Sequence, residues 1–188
     1  MYIPSTAISE WENRYGTPLL WSYSQPADGD EFAVIAGSQK HGRAHDITLY
    51  IERAGRIAVM AKPFYPPDLY RAPSGGLNPG ESLEAGAARE AREETGLAIS
   101  LQKYILRAHV LFTWGERTID WTTHVFRAIT DEETIAPTDS REIREARWAE
   151  PDEFAFLCNL MRQTGSSGLN YRAALHEQIA TLHPLFAS

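Results

Sequence analysis

Residues 75–97 read Gly75-Gly76-Leu77-Asn78-Pro79-Gly80-Glu81-Ser82-Leu83-Glu84-Ala85-Gly86-Ala87-Ala88-Arg89-Glu90-Ala91-Arg92-Glu93-Glu94-Thr95-Gly96-Leu97, a glycine-rich loop running into an acidic helix. The pattern predicts a helix over about Ser82 to Thr95, stopped by Gly96 as a left-handed residue just past its end. At about 100° per residue, Leu83, Ala87, Ala91, Glu90 and Glu94 fall on one third of the circumference, with Glu93 at its border. Ala88, Arg92 and Glu84 point the other way. Glu90 and Glu94 are like charges one turn apart, which repel. Glu93 and Glu94 lie in the last turn, where the helix dipole disfavours anions. Glu90 and Glu94 also share the face that carries the helix's few apolar residues, where desolvation is costly. A divalent cation relieves all three conflicts, and magnesium suits oxygen donors while keeping sites for water and phosphate.

The rest of the chain frames this segment. Before it, Lys62 to Glu81 contains five prolines and several glycines, so it reads as loop with at most a short strand at Leu69-Tyr70-Arg71. Earlier, Asp46 to Glu52 and Arg56 to Ala61 alternate around Ala54-Gly55 in a hairpin pattern, with Ile47, Leu49 and Ile51 on one face and Thr48 and Tyr50 on the other. Residues 1 to about 45 read as an N-terminal extension with a short strand at Phe32-Ala33-Val34-Ile35-Ala36 and a polar loop from Gly37 to His45. Downstream, strands are expected near Tyr104 to Trp114, Thr118 to Ile129 and Ala146 to Ala149, and helices near Pro151 to Arg162 and Leu169 to Leu182. Hairpin, crossover helix, long strands and terminal helices together imply an α/β fold, a mixed sheet covered by helices.

Composition limits the partners. The 188 residues fit one domain with a small extension, and a hydrophobic fraction of 43% supplies a core. A net charge of −7, with 18 scattered Lys and Arg, disfavours a nucleic-acid polymer and leaves small anionic ligands open. No apolar run approaches the ~18 residues of a membrane span, so no membrane partner is expected. Nor does the N-terminus have the basic start and apolar stretch of a signal peptide. Cys158 is the only cysteine, so no internal disulfide forms, and a cytoplasmic location is the expectation.

An acidic helix alone is commonly a solvated surface. Spacing decides otherwise: Gly75, five residues, Glu81, seven residues, Arg89-Glu90, two residues, Glu93-Glu94, one residue, Gly96-Leu97 resembles the Nudix box. At average residue abundances a chance match is on the order of 10⁻⁷. One position departs: Ala91 stands where the family usually has a bulky aliphatic. The similarity extends to the lead-in from Ile57-Ala58-Val59-Met60 to Tyr70-Arg71-Ala72-Pro73 and to Glu142-Ile143-Arg144-Glu145-Ala146-Arg147-Trp148, and covers roughly residues 45 to 185. It divides the chain into an extension, 1–45, and a Nudix hydrolase domain, 46–188, with a mixed sheet sandwiched between helices.

The resemblance implies a magnesium-dependent hydrolase of a diphosphate linkage, with manganese as a substitute cation. It implies Glu90 and Glu94 as principal metal ligands, Glu93 beside them as ligand or base, and Glu81 supporting from the loop. The backbone carbonyl of Ser74 is a further ligand in that scheme, and Arg89 braces Glu81 or Glu93. The general base varies in the family; Glu93, Glu142 and Glu145 are the candidates, Glu142 being favoured over Glu145. Arg43, Tyr70, Arg71 and Trp121 are candidate substrate contacts, although packing competes as an explanation for the aromatics, Trp114 and Tyr65 included. His109, His124, His176 and His183 lack paired metal spacing and receive no role. Cys158, among apolar helix neighbours, reads as an inert buried thiol. An ADP-ribose-like or nucleotide-sugar substrate is the first expectation, and a nucleoside triphosphate the second. The proline about sixteen residues beyond the box that marks some ADP-ribose members is missing. A non-catalytic nucleotide-binding module and an isoprenoid diphosphate isomerase are the rival classes, separable by metal-dependent turnover and product identity. The partner expected is a small nucleoside diphosphate derivative; a homodimer stays open.

Overall fold

The structure, a computed structural model, describes residues 3–39 and 42–182. Its elements are α1 (Ser5–Tyr15), β1 (Leu19–Pro26), α2 (Gly29–Gly37), β2 (His45–Arg53), β3 (Arg56–Ala61), β4 (Ser74–Gly75), α3 (Leu83–Thr95), β5 (Ser100–Trp114), β6 (Arg117–Ile129), β7 (Glu145–Ala149), α4 (Glu153–Gln163) and α5 (Ser167–Ala180). One mixed sheet runs in the order β1-β5-β6-β2-β3-β7, with β4 added beside β2. β1 lies parallel to β5 and β2 parallel to β6, and the other pairs are antiparallel.

The period-2 reading of β2 holds on both faces. Ile47, Leu49 and Ile51 enter one core with Leu83, Ala87 and Ala91 of α3 and Trp11 of α1. Tyr50 enters the other, with Phe32 of α2, Phe154 and Leu157 of α4, and Leu175 and Ile179 of α5. Helices therefore cover both faces, the expected α/β/α arrangement. The hairpin turn has positive φ at Ala54 (49°) and Gly55 (82°), the twist that suits a two-residue connection between strands.

The first 45 residues depart from expectation. Phe32 to Ala36 is helical, not extended. Asp28 caps α2 by accepting a hydrogen bond from Glu31 N–H, and Asp30 and Glu31 occupy its first turn, where the helix dipole favours anions. Phe32 is buried while Val34 is 74% exposed. A run of five apolar residues fits either period, and the cap decides it. The strand lies earlier, at Leu19–Pro26, hydrogen-bonded along β5 from Leu19↔Leu106 to Pro26↔Thr113. The extension thus supplies one of the sheet's two edge strands and a helix to each layer.

Beyond their shared turn β2 and β3 diverge, pairing only at Glu52↔Ile57 and Arg53↔Arg56. The segment 71–75 fills the gap. Arg71 bridges Met60 of β3, and Ser74–Gly75 pairs with Ile47 and Thr48 of β2. The short strand expected at Leu69-Tyr70-Arg71 is reduced to that one bridge. This wedge of backbone is the floor on which α3 stands.

Candidate active site

α3 begins and ends where its sequence dictates. The Ser82 hydroxyl accepts from Ala85 N–H, and Gly96 closes the helix at φ 79°. A side chain at Gly96 would also strike the Ala136 carbonyl, its Cβ lying 2.1 Å away, so glycine is required twice over. Ala91, the position that departs from the box, is fully buried against the sheet, a packing site as its size implies.

The loop glycines make room for charge. A Cβ on Gly75 would fall 1.9 Å from the Glu90 carboxyl carbon, and one on Gly76 would fall 2.0 Å from Arg43 Nη1. Glu90 therefore lies against bare backbone. Glu94 reaches the same wedge: Ser74 N–H donates to its Oε2 at 2.6 Å, and Arg71 Nη2 stands 3.8 Å from its Oε1. Burial pushes the Glu94 carboxyl up to about 7, against the opposing pull of Arg71, and burial likewise raises Glu90. Both are costly as anions in the form described.

Arg89 gathers the remaining acids. Its Nε and Nη2 donate to the two oxygens of Glu81 at 3.0 and 2.9 Å, a bidentate pair, and Nη2 also donates to the Gly76 carbonyl. Its Nη1 donates to Glu90 at 2.8 Å and to Glu93 at 3.2 Å. The hydrogen bonds from Arg89 hold Glu81 below the usual carboxylate range. Arg89 braces both acids named from the sequence, and Glu90 as well.

Arg89, Glu90, Glu93 and Glu94 line an open cleft of about 500 Å³ that also contains Arg43, Lys62, Trp121, Glu142 and the Asp46–Arg172 pair, whereas Glu81 lines a neighbouring cavity beside α1. Arg43 donates through Nε to the Ser38 carbonyl at 3.2 Å and stands 5.8 Å over the Trp121 ring. Among the described residues it is the cleft cation without a carboxylate partner, since Lys62 pairs with Glu142, Arg71 with Glu94, Arg89 with Glu81, and Arg172 with Asp46. Arg71 itself is only 5% exposed and turned inward, donating to Tyr65 Oη, the Ala72 carbonyl and Ser74 Oγ. It positions Glu94 rather than presenting a free guanidinium.

Glu142 faces the cleft from a turn in which Asp139 accepts the N–H groups of Arg141 and Glu142. Besides Glu81, two expected residues are not brought there. Glu145 sits at the start of β7, paired with Arg144, and Tyr70 packs under the Arg147 guanidinium 4.5 Å from its ring. The two interact with each other across the β3–β7 edge. Trp114 packs with Phe32 and Arg117, also outside the cleft. Cys158 is buried, as expected, its thiol pushed up to about 12 by burial. His183 lies outside the described residues.

The sequence reading missed Asp46 and Arg172. Asp46 is buried and accepts from Trp121 Nε1 at 3.0 Å, from Thr123 Oγ1 at 2.5 Å and from Arg172 Nη2 at 2.5 Å. Burial works to raise its carboxyl, but Arg172 and these hydrogen bonds outweigh it and hold the group low. The available signal was an acid, Asp46, on the same face of β2 as Thr48 and Tyr50.

Among the described residues, no three acidic, histidine or cysteine side chains form a ready metal cage. The donor set still fits magnesium, which commonly takes one or two protein carboxylates and completes its shell with water and substrate phosphate. Glu90 and Glu94 are the two carboxylates that could serve, desolvated and set against the side-chain-free backbone of Gly75.

The fold and site define a class: a mixed sheet between helices, with a glycine loop and a carboxylate-bearing helix opening on a polar cleft. The NUDIX domain model matches residues 40–167, and the chain belongs to the Nudix family. It is 26% identical over 108 residues to the NAD-capped RNA hydrolase NudC of Stutzerimonas stutzeri (strain A1501), a match covering 54% of this chain and 38% of that protein. It is 33% identical over 103 residues to an RNA pyrophosphohydrolase of Erythrobacter litoralis (strain HTCC2594), covering 47% of this chain and 63% of that one. The chain thus spans less than two thirds of the length of either relative. A solved Nudix-family hydrolase from Clostridium perfringens superposes with a TM-score of 0.47 at 16% identity, over 60% of this chain and 85% of that chain. A MutT Nudix hydrolase from Burkholderia pseudomallei gives 0.45 at 22%, over 58% and 84%. No helix of the described residues is long and apolar enough to cross a membrane.

Proposed function

We propose that this chain hydrolyses the diphosphate linkage of a nucleoside diphosphate derivative, of ADP-ribose or nucleotide-sugar type, with magnesium or manganese. The observation that carries this reading is the pairing of two desolvated carboxylates, Glu90 and Glu94, with the side-chain-free backbone of Gly75, at the floor of a cleft that also holds the Arg43 guanidinium, which has no carboxylate partner among the described residues. Glu90 and Glu94 would hold the cation, supported by Glu93, Glu81 and the Ser74 carbonyl. A divalent cation there supplies positive charge to the phosphoryl oxygens and acidifies water. Arg89 keeps Glu81 and Glu90 oriented, and Arg43 receives the phosphate that the cation does not. Glu142, 67% exposed at its side chain and paired with Lys62, or Glu93, 42% exposed, would take a proton from the attacking water.

The test is turnover of a panel with each cation, reading released monophosphate or pyrophosphate. ADP-ribose, nucleotide sugars, nucleoside triphosphates, NAD and 5′-capped or triphosphorylated RNA belong in the panel, the RNAs because the two curated relatives are named for them. Cleavage of a nucleoside diphosphate derivative to two monophosphates supports the reading. Release of pyrophosphate from triphosphates redirects it, and metal-saturated protein that turns over none of the panel overturns it in favour of a binding module.

A further inference from the structure

α5 turns Arg172 and His176 toward β2, Arg172 at the cleft wall and His176 into the buried interior. They are one turn apart and so lie on one side of the helix. On β2, Asp46, Thr48 and Tyr50 alternate onto the facing side. The two sets meet in order: Arg172 donates to Asp46 and to Thr48 Oγ1, and His176 Nδ1 is bonded to Tyr50 Oη. Arg172 has its role in the cleft wall. His176, 1% exposed and edge-on to the rings of Tyr50 and Phe154, has none so far.

Its second nitrogen supplies one. Ala72 N–H donates to His176 Nε2 at 3.4 Å. Ala72 lies in the backbone wedge between Arg71, bridged to β3, and Ser74, paired with β2. An acceptor at Nε2 must carry a lone pair, so the ring is neutral and its proton sits on Nδ1, donated to Tyr50 Oη. Residues on either side of this anchor hold Glu94: Ser74, two positions on, through its N–H, and Arg71, the preceding residue, through a guanidinium that also grips the Ala72 carbonyl.

We propose that His176 is a positioning residue for the diphosphate hydrolysis inferred above: by anchoring Ala72 N–H it fixes the Arg71–Ser74 backbone and, through it, the carboxylate of Glu94. The anchored amide and the amide that holds the carboxylate lie only two residues apart along the chain. A buried N–H left without an acceptor costs free energy, which the wedge relieves by moving. Displacement of a group that orients a metal ligand typically lowers activity about 10- to 100-fold.

The experiment has a spectroscopic arm and a kinetic arm. In ¹⁵N-labelled protein, a scalar coupling across the hydrogen bond between Ala72 N and His176 Nε2, with Nδ1 protonated, is expected. A protonated Nε2 overturns the proposal. His176→Leu is expected to lower kcat about 10- to 30-fold with KM within about three-fold, and to speed amide exchange at both Ala72 and Ser74 by at least about ten-fold. His176→Gln, which returns an acceptor at similar reach, should recover kcat to within about three-fold of the parent. If His176→Leu does not fold, His176→Asn, which keeps a partner for Tyr50 but withdraws the one for Ala72, makes the same comparison. A folded Leu or Asn variant with parental kcat, or with Ser74 still protected, refutes the positioning role. Failure of the hydrolase reading is visible separately, as parental protein that turns over nothing while the Ser74 exchange result still decides this claim.

Discussion

Two arginine–carboxylate clusters face the same cleft and are built on opposite principles. Around α3, four glutamates (Glu81, Glu90, Glu93 and Glu94) share two arginines, Arg89 and Arg71. Between α5 and β2, one aspartate meets one arginine, and the hydroxyl of Thr123 and the indole of Trp121 complete the shell of Asp46. The second cluster is balanced and has nothing left to bind. The first has negative charge in excess, some of it desolvated, which a bound cation would offset. Charge stoichiometry, rather than the mere presence of acids, separates the chemical centre from the scaffold that holds it.

The largest effect should come from unbalancing the balanced cluster. Arg172→Met strands a buried carboxylate, and denaturant unfolding should report a loss of about 3–5 kcal/mol, with much of it regained when Asp46→Asn is added. A loss no greater than that of a surface substitution would erase the distinction between the clusters. In the excess-charge cluster the same kind of change should spare the fold and remove activity. Glu90→Gln and Glu94→Gln should each lower kcat by at least about 10²-fold, near 2.7 kcal/mol, with an unfolding midpoint at or above that of the parent.

Acid should act on the scaffold side. His124 and His176 are lowered to about 3 and His45 to about 4, in each case chiefly by burial. Between those values and the unfolded value near 6.5, the unfolded chain binds more protons, so stability must fall as pH drops through this window. Each histidine contributes up to about 1.4 kcal/mol per pH unit, and it is fully neutral and without penalty above pH 6.5. Thermal unfolding from pH 7 to 4 measures the slope, and His176→Gln should flatten it. The smallest effect is expected at the rim: Arg43→Ala should raise KM by roughly ten-fold, about 1.4 kcal/mol, with little change in kcat. An unchanged KM would remove Arg43 from phosphate binding.

What the sequence made legible follows the same division. The α3 cluster lies within 25 residues, and helix geometry converts its spacing directly into a shared face. The hairpin was readable from Ala54-Gly55 and the period-2 pattern, and α3 from Ser82 and Gly96. The scaffold pair was not, because Asp46 and Arg172 are 126 positions apart and no local spacing links them; Tyr50, Ala72 and His176 are hidden for the same reason. Glu145 and Tyr70 were misplaced because the turn at Asp139 aims Glu142 into the cleft and leaves the first residue of β7 on the outer edge. The α2 run Phe32 to Ala36 was too short for its period to be read, and the decisive information lay in its cap, Asp28.

The central claim is that surplus carboxylate charge on α3 exists to hold divalent cations. Calorimetric titration of manganese into the parent protein and into Glu90→Gln/Glu94→Gln, with a non-hydrolysable nucleoside diphosphate analogue present, tests it directly. Binding by the parent with a raised unfolding midpoint, and its loss in the double variant, is the predicted result. Equal manganese binding by both proteins would contradict it.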